Sequence, residues 1–146
     1  MEKILNSIDE TRAFAHGFAK TLRVPQTVAL HGDLGVGKSE IARTVIQTLC
    51  GEDTVVPSPT FTLVQSYELR NQKSESKVVK QIRNISHFDL YRVQDVSELE
   101  EIGLAHAMEN DITLIEWPEI VGAKLPSNTI HIYITEHKNG RKIAIE

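Results

Sequence analysis

The chain has 146 residues, 40% hydrophobic and 25% charged, which fits one globular domain whose core needs no disulfide or structural metal. Its formal net charge of -4 argues against a protein whose affinity comes mainly from neutralising nucleic-acid phosphates, because that requires a concentrated basic face. No window reaches the roughly 18 apolar residues that span a bilayer. The start Met1-Glu2-Lys3-Ile4 lacks the basic-then-apolar pattern of a secretory signal, so a cytoplasmic protein without membrane contact is expected.

Ser7 and Glu10 have the spacing of a capping box, in which each side chain satisfies a free backbone donor at a helix start. Phe14, Phe18 and Leu22 then recur every four residues, with Ala15 and Ala19 beside them, so a first helix carries an apolar stripe that stops before Pro25. Residues 27–30 read as a short buried strand leading into a glycine-rich stretch. A second helix is predicted over 38–49, with Ile41, Val45 and Leu49 on one face, Ala42 and Ile46 adjacent, and Gly51 as its stop. Cys50, the single cysteine, ends that apolar pattern and reads as a small buried hydrophobe.

Pro57 and Pro59 mark an ordered loop, after which 61–69 and 78–90 predict two strands of a ribbon joined by the polar residues 71–77, whose plain reading is a solvated turn and whose alternative is a partner or RNA contact. Asp95 and Glu98 repeat the capping-box spacing, so a third helix is predicted over 96–102, interrupted by Gly103 and followed by a short helix to Met108. Residues 112–115 form a compact apolar strand ending on Glu116. Ile130, Ile132 and Ile134 alternate toward an Asn139-Gly140 turn, and Ile143 and Ile145 continue the alternation, which predicts a hairpin. The fold expected over 1–146 is a three-layer α/β domain of the P-loop NTPase type. Its mixed central sheet is parallel around the strands leading to the P-loop and Glu116, and the C-terminal β-hairpin lies at an edge.

The segment Gly32-Asp33-Leu34-Gly35-Val36-Gly37-Lys38-Ser39 satisfies the P-loop pattern and lies between a predicted strand and a predicted helix, as the chemistry requires. Glycines let successive backbone N–H groups turn inward to phosphate oxygens, and the following helix adds its positive end. Lys38 then bridges the β- and γ-phosphates and Ser39 offers its hydroxyl to magnesium. Hydrolysis also needs acidic groups, and two candidates end apolar segments: Glu116, and Asp89 in His87-Phe88-Asp89-Leu90. Either reaches magnesium from a sheet edge; the plainer reading is an ordinary strand-end carboxylate. The hydroxyls of Ser58-Pro59-Thr60-Phe61-Thr62 have the spacing of a γ-phosphate switch or of a proline-stiffened strand entry. The six histidines, His31 and His87 among them, show no His-x-x-x-His spacing, so zinc is not expected and His87 reads as packed or hydrogen-bonded rather than catalytic.

Taken in order, the P-loop, Ser58-Pro59-Thr60-Phe61-Thr62-Leu63-Val64, His87-Phe88-Asp89-Leu90-Tyr91-Arg92 and Glu116-Trp117-Pro118-Glu119 resemble the TsaE family over 7–126. These are bacterial ATPases required, with the TsaB and TsaD proteins, for making threonylcarbamoyladenosine beside the anticodon of tRNAs that read codons beginning with A. The resemblance implies that Gly35, Val36, Gly37, Lys38, Ser39 and Glu40 enclose the phosphates of ATP, that Ser39 and Glu116 serve magnesium, and that Asp89 acts with Lys38 and Glu116 at the same site. It places Trp117 at the functional edge, where the residues alone also allow a core aromatic, and brings Ser7 toward the adenine end, although a helix cap already explains that residue. It further implies ATP turnover coupled to the TsaB–TsaD assembly, with tRNA met only through that complex. The family commonly has Thr where this chain has Ser39, which keeps the hydroxyl, and the connection over 71–84 looks longer than usual.

A small-molecule kinase fits less well, since the segments after the central sheet are short and poor in the arginines of a mobile lid. A GTPase fits less well too, because no Asn-Lys-x-Asp stretch reads guanine. A nucleotide-gated assembly factor without hydrolysis remains the non-enzymatic alternative, since binding alone shifts a conformational equilibrium.

Overall fold

The computed structural model describes residues 1–70 and 83–146. In chain order it contains β1 (Glu2–Leu5), α1 (Ile8–Ala19), β2 (Gln26–His31), α2 (Lys38–Cys50), β3 (Val64–Glu68), β4 (Asn84–Asp89), α3 (Ser97–Glu101), α4 (Leu104–Asn110), β5 (Ile112–Glu116), β6 (Ile130–His137) and β7 (Gly140–Ile145). Two short 3-10 turns, Pro118–Ile120 and Gly122–Lys124, lead away from β5.

The strands make one mixed sheet in the order β1-β7-β6-β2-β5-β4-β3. β2 runs parallel to both β5 and β6, and β4 parallel to β5, while β3, β7 and β1 add antiparallel pairings. The parallel centre sits where the sequence predicts it, around the strands that lead to the glycine loop and Glu116. The C-terminal hairpin, expected at an edge, lies one strand in, because β1 pairs with β7 from Glu2↔Ala144 to Leu5↔Arg141 and takes the edge itself. Only Leu5 of β1 is buried, so the segment has no alternation that marks it as a strand.

α1 starts where the capping box places it. Ser7 Oγ accepts from the Glu10 N–H at 3.1 Å, a contact that contributes about 1 kcal/mol. The reciprocal bond goes to the Asn6 N–H, at 2.6 Å from Glu10 Oε2, one residue earlier than the standard box. α1 ends at Ala19, so Leu22 packs from beyond the helix, and α2 ends at Cys50, where Gly51 with φ 117° stops it. The ribbon strand begins at Val64 rather than 61 because Leu63 has φ 68°, outside the β region. Of its partner, residues 84–89 are strand; 78–82 and the turn over 71–77 lie outside the described residues.

Phe14, Ala15 and Ala19 of α1 and Ile41, Ala42, Val45 and Ile46 of α2 pack on Val28, Leu30, Leu114, Ile132, Ile134 and Ile143, forming the larger core on one face of the sheet. Each of the larger side chains contributes about 1.5–3 kcal/mol on full burial. On the other face, Leu99, Leu104 and Ala107 of α3 and α4 cover Phe88 and Ile115. Helices on both faces of one sheet give the three layers expected of a P-loop NTPase-type fold.

Candidate functional site

β2 delivers the chain to Gly32 at the carboxyl edge of the sheet, and the loop of 32–37 turns it into α2. Two glycines there answer different demands. At Gly32, φ is 153° and a Cβ would lie 2.7 Å from Ile134 O and 2.7 Å from Val36 Cγ1, so neither conformation nor space admits a side chain. Gly37, the residue before α2, has open space around it but φ 121°, so conformation alone selects glycine. Having no side chain, it leaves the first-turn N–H groups of α2 uncapped and available to an anion.

Lys38 opens α2 and is buried, with its ammonium donating to Gly32 O and lying 3.5 Å from the centre of the Trp117 ring. Burial pushes its pKa below the ordinary lysine value, and the surrounding Glu116, Glu119, Asp89 and Asp33 carboxylates pull the other way. The result is a poorly hydrated cation aimed at the loop, suited to the β- and γ-phosphates.

Parallel pairing of β4 with β5 sets Asp89 opposite Glu116, so both carboxylates reach the same edge and the same face, beside the start of α2. Ser39 Oγ donates to Glu116 Oε1 at 3.0 Å, and His87 Nε2 lies 2.6 Å from Glu116 Oε2. Asp89 is engaged differently: Oδ2 accepts from Thr60 Oγ1 at 3.0 Å and Oδ1 from the Tyr91 N–H at 3.1 Å. Leu34, Gly35, Gly37, Lys38, Ser39, Glu40, Thr60, Asp89, Glu116 and Trp117 line one cleft of about 240 Å³. The oxygen donors at its base fit magnesium, a hard cation that takes one or two carboxylates and fills its remaining positions with phosphate and water. Ser39 and Glu116 are the pair already side by side; both Asp89 oxygens are committed to the loop and the backbone.

Each sequence-predicted site residue is thus located. Gly35, Gly37, Lys38, Ser39, Glu40, Asp89 and Glu116 share the cleft, and Val36 is buried under the loop, its carbonyl held by Arg141 Nε at 2.5 Å. The Glu40 carboxylate turns toward α1, held by Arg12 at 2.6 Å and Arg43 at 2.9 Å, so its backbone is what it offers a phosphate. Ser7 lines a second cleft of about 250 Å³ continuous with the loop, together with Thr11, Gly35, Val36, Asn139 and Arg141. Of the loop hydroxyls, Thr60 reaches the site and Ser58 bonds to it at 2.7 Å, whereas Thr62 accepts from Gln65. Trp117 is half-buried, with its ring against Lys38 and Tyr91 and packed on the second core cluster, so it touches both the cleft and the core. His87 is hydrogen-bonded, as its sequence context predicts, and its partner is Glu116. Arg141 was not foreseen, since no motif marks it.

Comparison with known proteins gives a concordant result. The family model described as threonylcarbamoyl adenosine biosynthesis protein TsaE matches residues 5–143. The protein of Rickettsia bellii named tRNA threonylcarbamoyladenosine biosynthesis protein TsaE is 42% identical over 131 residues, covering 90% of this chain and 83% of its own. The similarly named Bacillus subtilis protein is 29% identical over 127 residues, covering 86% of this chain and 72% of its own. The crystal structure of Bacillus YdiB superposes with a TM-score of 0.73 at 22% identity, over 99% of this chain and 83% of that one, which shows a shared fold. With a family model that spans nearly its whole length, the chain belongs to the TsaE family.

Proposed function

We propose that the chain binds ATP with magnesium and hydrolyses it as a component required for threonylcarbamoyladenosine modification of tRNA, acting on the TsaB–TsaD assembly and meeting tRNA through that complex. The observation that carries this reading is the meeting of Ser39 and Glu116 at 3.0 Å where α2 opens, with Lys38 and Asp89 lining the same cleft. Such a set of a cation, a hydroxyl and two carboxylates at a glycine loop serves phosphoryl chemistry, in which positioning and charge stabilisation do most of the work.

In this reading the loop N–H groups and Lys38 hold the phosphate chain, and Lys38 exchanges the Gly32 carbonyl for phosphate oxygens. Ser39 and Glu116 hold magnesium, which when bound neutralises charge that develops on the phosphate oxygens. Asp89 tethers Thr60 and so ties the 58–62 loop to the phosphate end, giving hydrolysis a route to a partner-facing surface. The Ser7–Arg141 cleft takes the nucleoside end.

The test is phosphate release from magnesium-ATP by the purified chain, with and without TsaB and TsaD, using Lys38→Ala as blank. Acceleration by the partners is expected. Removing the lysine should lower turnover about 10²–10³-fold, the usual cost of one preorganised charge-stabilising group. Turnover that the partners leave unchanged, or that survives in Lys38→Ala, overturns the reading; partner-dependent binding without phosphate release assigns the site to a nucleotide gate.

A further inference from the structure

His87 is a buried polar side chain to which the phosphate site as read so far gives no task. It stands on β4 two residues before Asp89, so strand alternation puts it on the α2 face, where it is 1% exposed. Among the described residues its one polar partner is Glu116: a carboxylate accepts, so the imidazole donates through Nε2–H to Oε2 at 2.6 Å. That leaves the buried Nδ1 with no partner among the described residues. An unpartnered buried nitrogen costs about 1–3 kcal/mol, a cost that an apolar side chain of similar shape escapes. Packing therefore does not account for histidine at this position, and the hydrogen bond to Glu116 is what distinguishes it.

The two Glu116 oxygens have separate tasks. Oε2 is held by His87, and Oε1 lies 3.0 Å from Ser39 Oγ. A free glutamate side chain samples many rotamers, and fixing one costs up to about 2 kcal/mol, which a donor anchored on the neighbouring strand offsets. The anchor is rigid, because β4 pairs with β5 in parallel register through this point, His87↔Leu114 and Asp89↔Glu116.

We propose that His87 is a positioning residue for Glu116: its Nε2–H fixes the carboxylate so that Oε1 is presented beside Ser39 to the magnesium ion that accompanies the nucleotide. The proposal rests on the reading of this cleft as a magnesium–nucleotide site. Hydrogen-bond partners of metal-binding side chains typically contribute 10–100-fold to metal affinity, because they set orientation before the metal arrives.

The test uses the full-length chain and the non-hydrolysable imido analogue of ATP. Binding is followed by the fluorescence of Trp117, the sole tryptophan, which contacts Lys38. The ratio of dissociation constants in EDTA and in excess magnesium is the contribution of the metal. His87→Phe should reduce that ratio about 10–100-fold while leaving the EDTA constant unchanged. His87→Gln, whose amide nitrogen reaches the place of Nε2, should restore most of it, a rescue that a merely structural role would not show. His87→Met serves where the phenylalanine variant does not fold. A wild-type ratio in the apolar variant overturns the proposal alone, as does equal weakening with and without metal that glutamine fails to rescue. A wild-type chain whose binding ignores magnesium overturns both the proposal and the magnesium reading beneath it.

Discussion

The two faces of the central sheet use the same strands for different ends. On the α1–α2 face, Val28, Leu30, Leu114, Ile132, Ile134 and Ile143 form a continuous aliphatic surface under two long helices. On the reverse face, among the described residues, the short helices α3 and α4 cover the β4–β5 half and the turns after β5 reach β2, where Ala29 is buried, while the ends of β2 and β6 present the rings of His31, His131 and Tyr133, the last 37% exposed. His87, Asp89, Glu116 and Ser39 all lie on the packed side. The polar groups that must hold a fixed geometry thus extend from the face where packing leaves least freedom.

The largest contrast comes from truncating one residue on each face. Leu114, 1% exposed in the middle of β5, should cost about 2–5 kcal/mol as Leu114→Ala, since the lost transfer energy adds to that of a cavity between helices and sheet. Tyr133→Ala removes a ring stacked on His31 at 4.4 Å but 37% exposed, and should cost less: about 0.5–1.5 kcal/mol for the aromatic pair plus the transfer energy of a partly exposed ring. Urea midpoints at constant m-value give both figures. Equal losses would mean that the reverse face is as tightly packed as the helix-covered one, and the comparison would fail.

Most of the packed face was legible in the sequence, and the reason is local. Ser7 caps, Phe14 and Ala15 recur with helical spacing, and residues 32–39 name their own conformation through glycine positions, so α1, β2, the loop and α2 need no tertiary information. Glu116 was legible because an apolar strand ends on it. What escaped depends on register between distant segments. Arg141 reaches Val36 O across 105 positions, and it does so only because β1 and β7 pair as they do. The His87–Glu116 contact needs the parallel register of β4 with β5, which periodicity does not specify. β1 escaped because three of its four residues face solvent, and the late start of β3 because a leucine at positive φ has no sequence signature.

Trp117 joins the faces. Its backbone is left-handed, φ 59° and ψ 58°, a conformation that costs a non-glycine residue of order 1–2 kcal/mol. The ring packs with the reverse-face cluster, yet it covers the Lys38 ammonium at 3.5 Å and lies tilted against Tyr91, with ring centres 4.9 Å apart. Trp117→Ala should therefore lose about 0.5–2 kcal/mol of cation–ring attraction, and Trp117→Phe, which keeps an aromatic face, should recover part of it. Urea unfolding of the three chains checks this. Identical stability in the alanine and phenylalanine variants would show that an aromatic ring at this position contributes nothing to stability and does not couple the faces.

The smallest effect tests whether the open face acts as a unit. His31 Nε2 and His131 Nδ1 are 2.9 Å apart, so one nitrogen donates and the other accepts, and a second proton must break the bond. Burial pushes the His31 pKa below its ordinary value, and His131 adds to that, with Lys38 acting in the same direction and Glu119 and Glu146 opposing. Because the folded-state pKa is depressed, the stability tied to neutral His31 is fully present above about pH 6.5 and is lost as pH falls through the folded value. His131→Gln removes the second cause and leaves the first. His31 should then titrate nearer to its ordinary value but still below it, and the acid-side loss of stability should become shallower. NMR titration of the His31 ring protons reads the shift directly. An unchanged curve in the variant would show that burial and Lys38 hold His31 neutral without His131 and that the rings of the open face are independent neighbours.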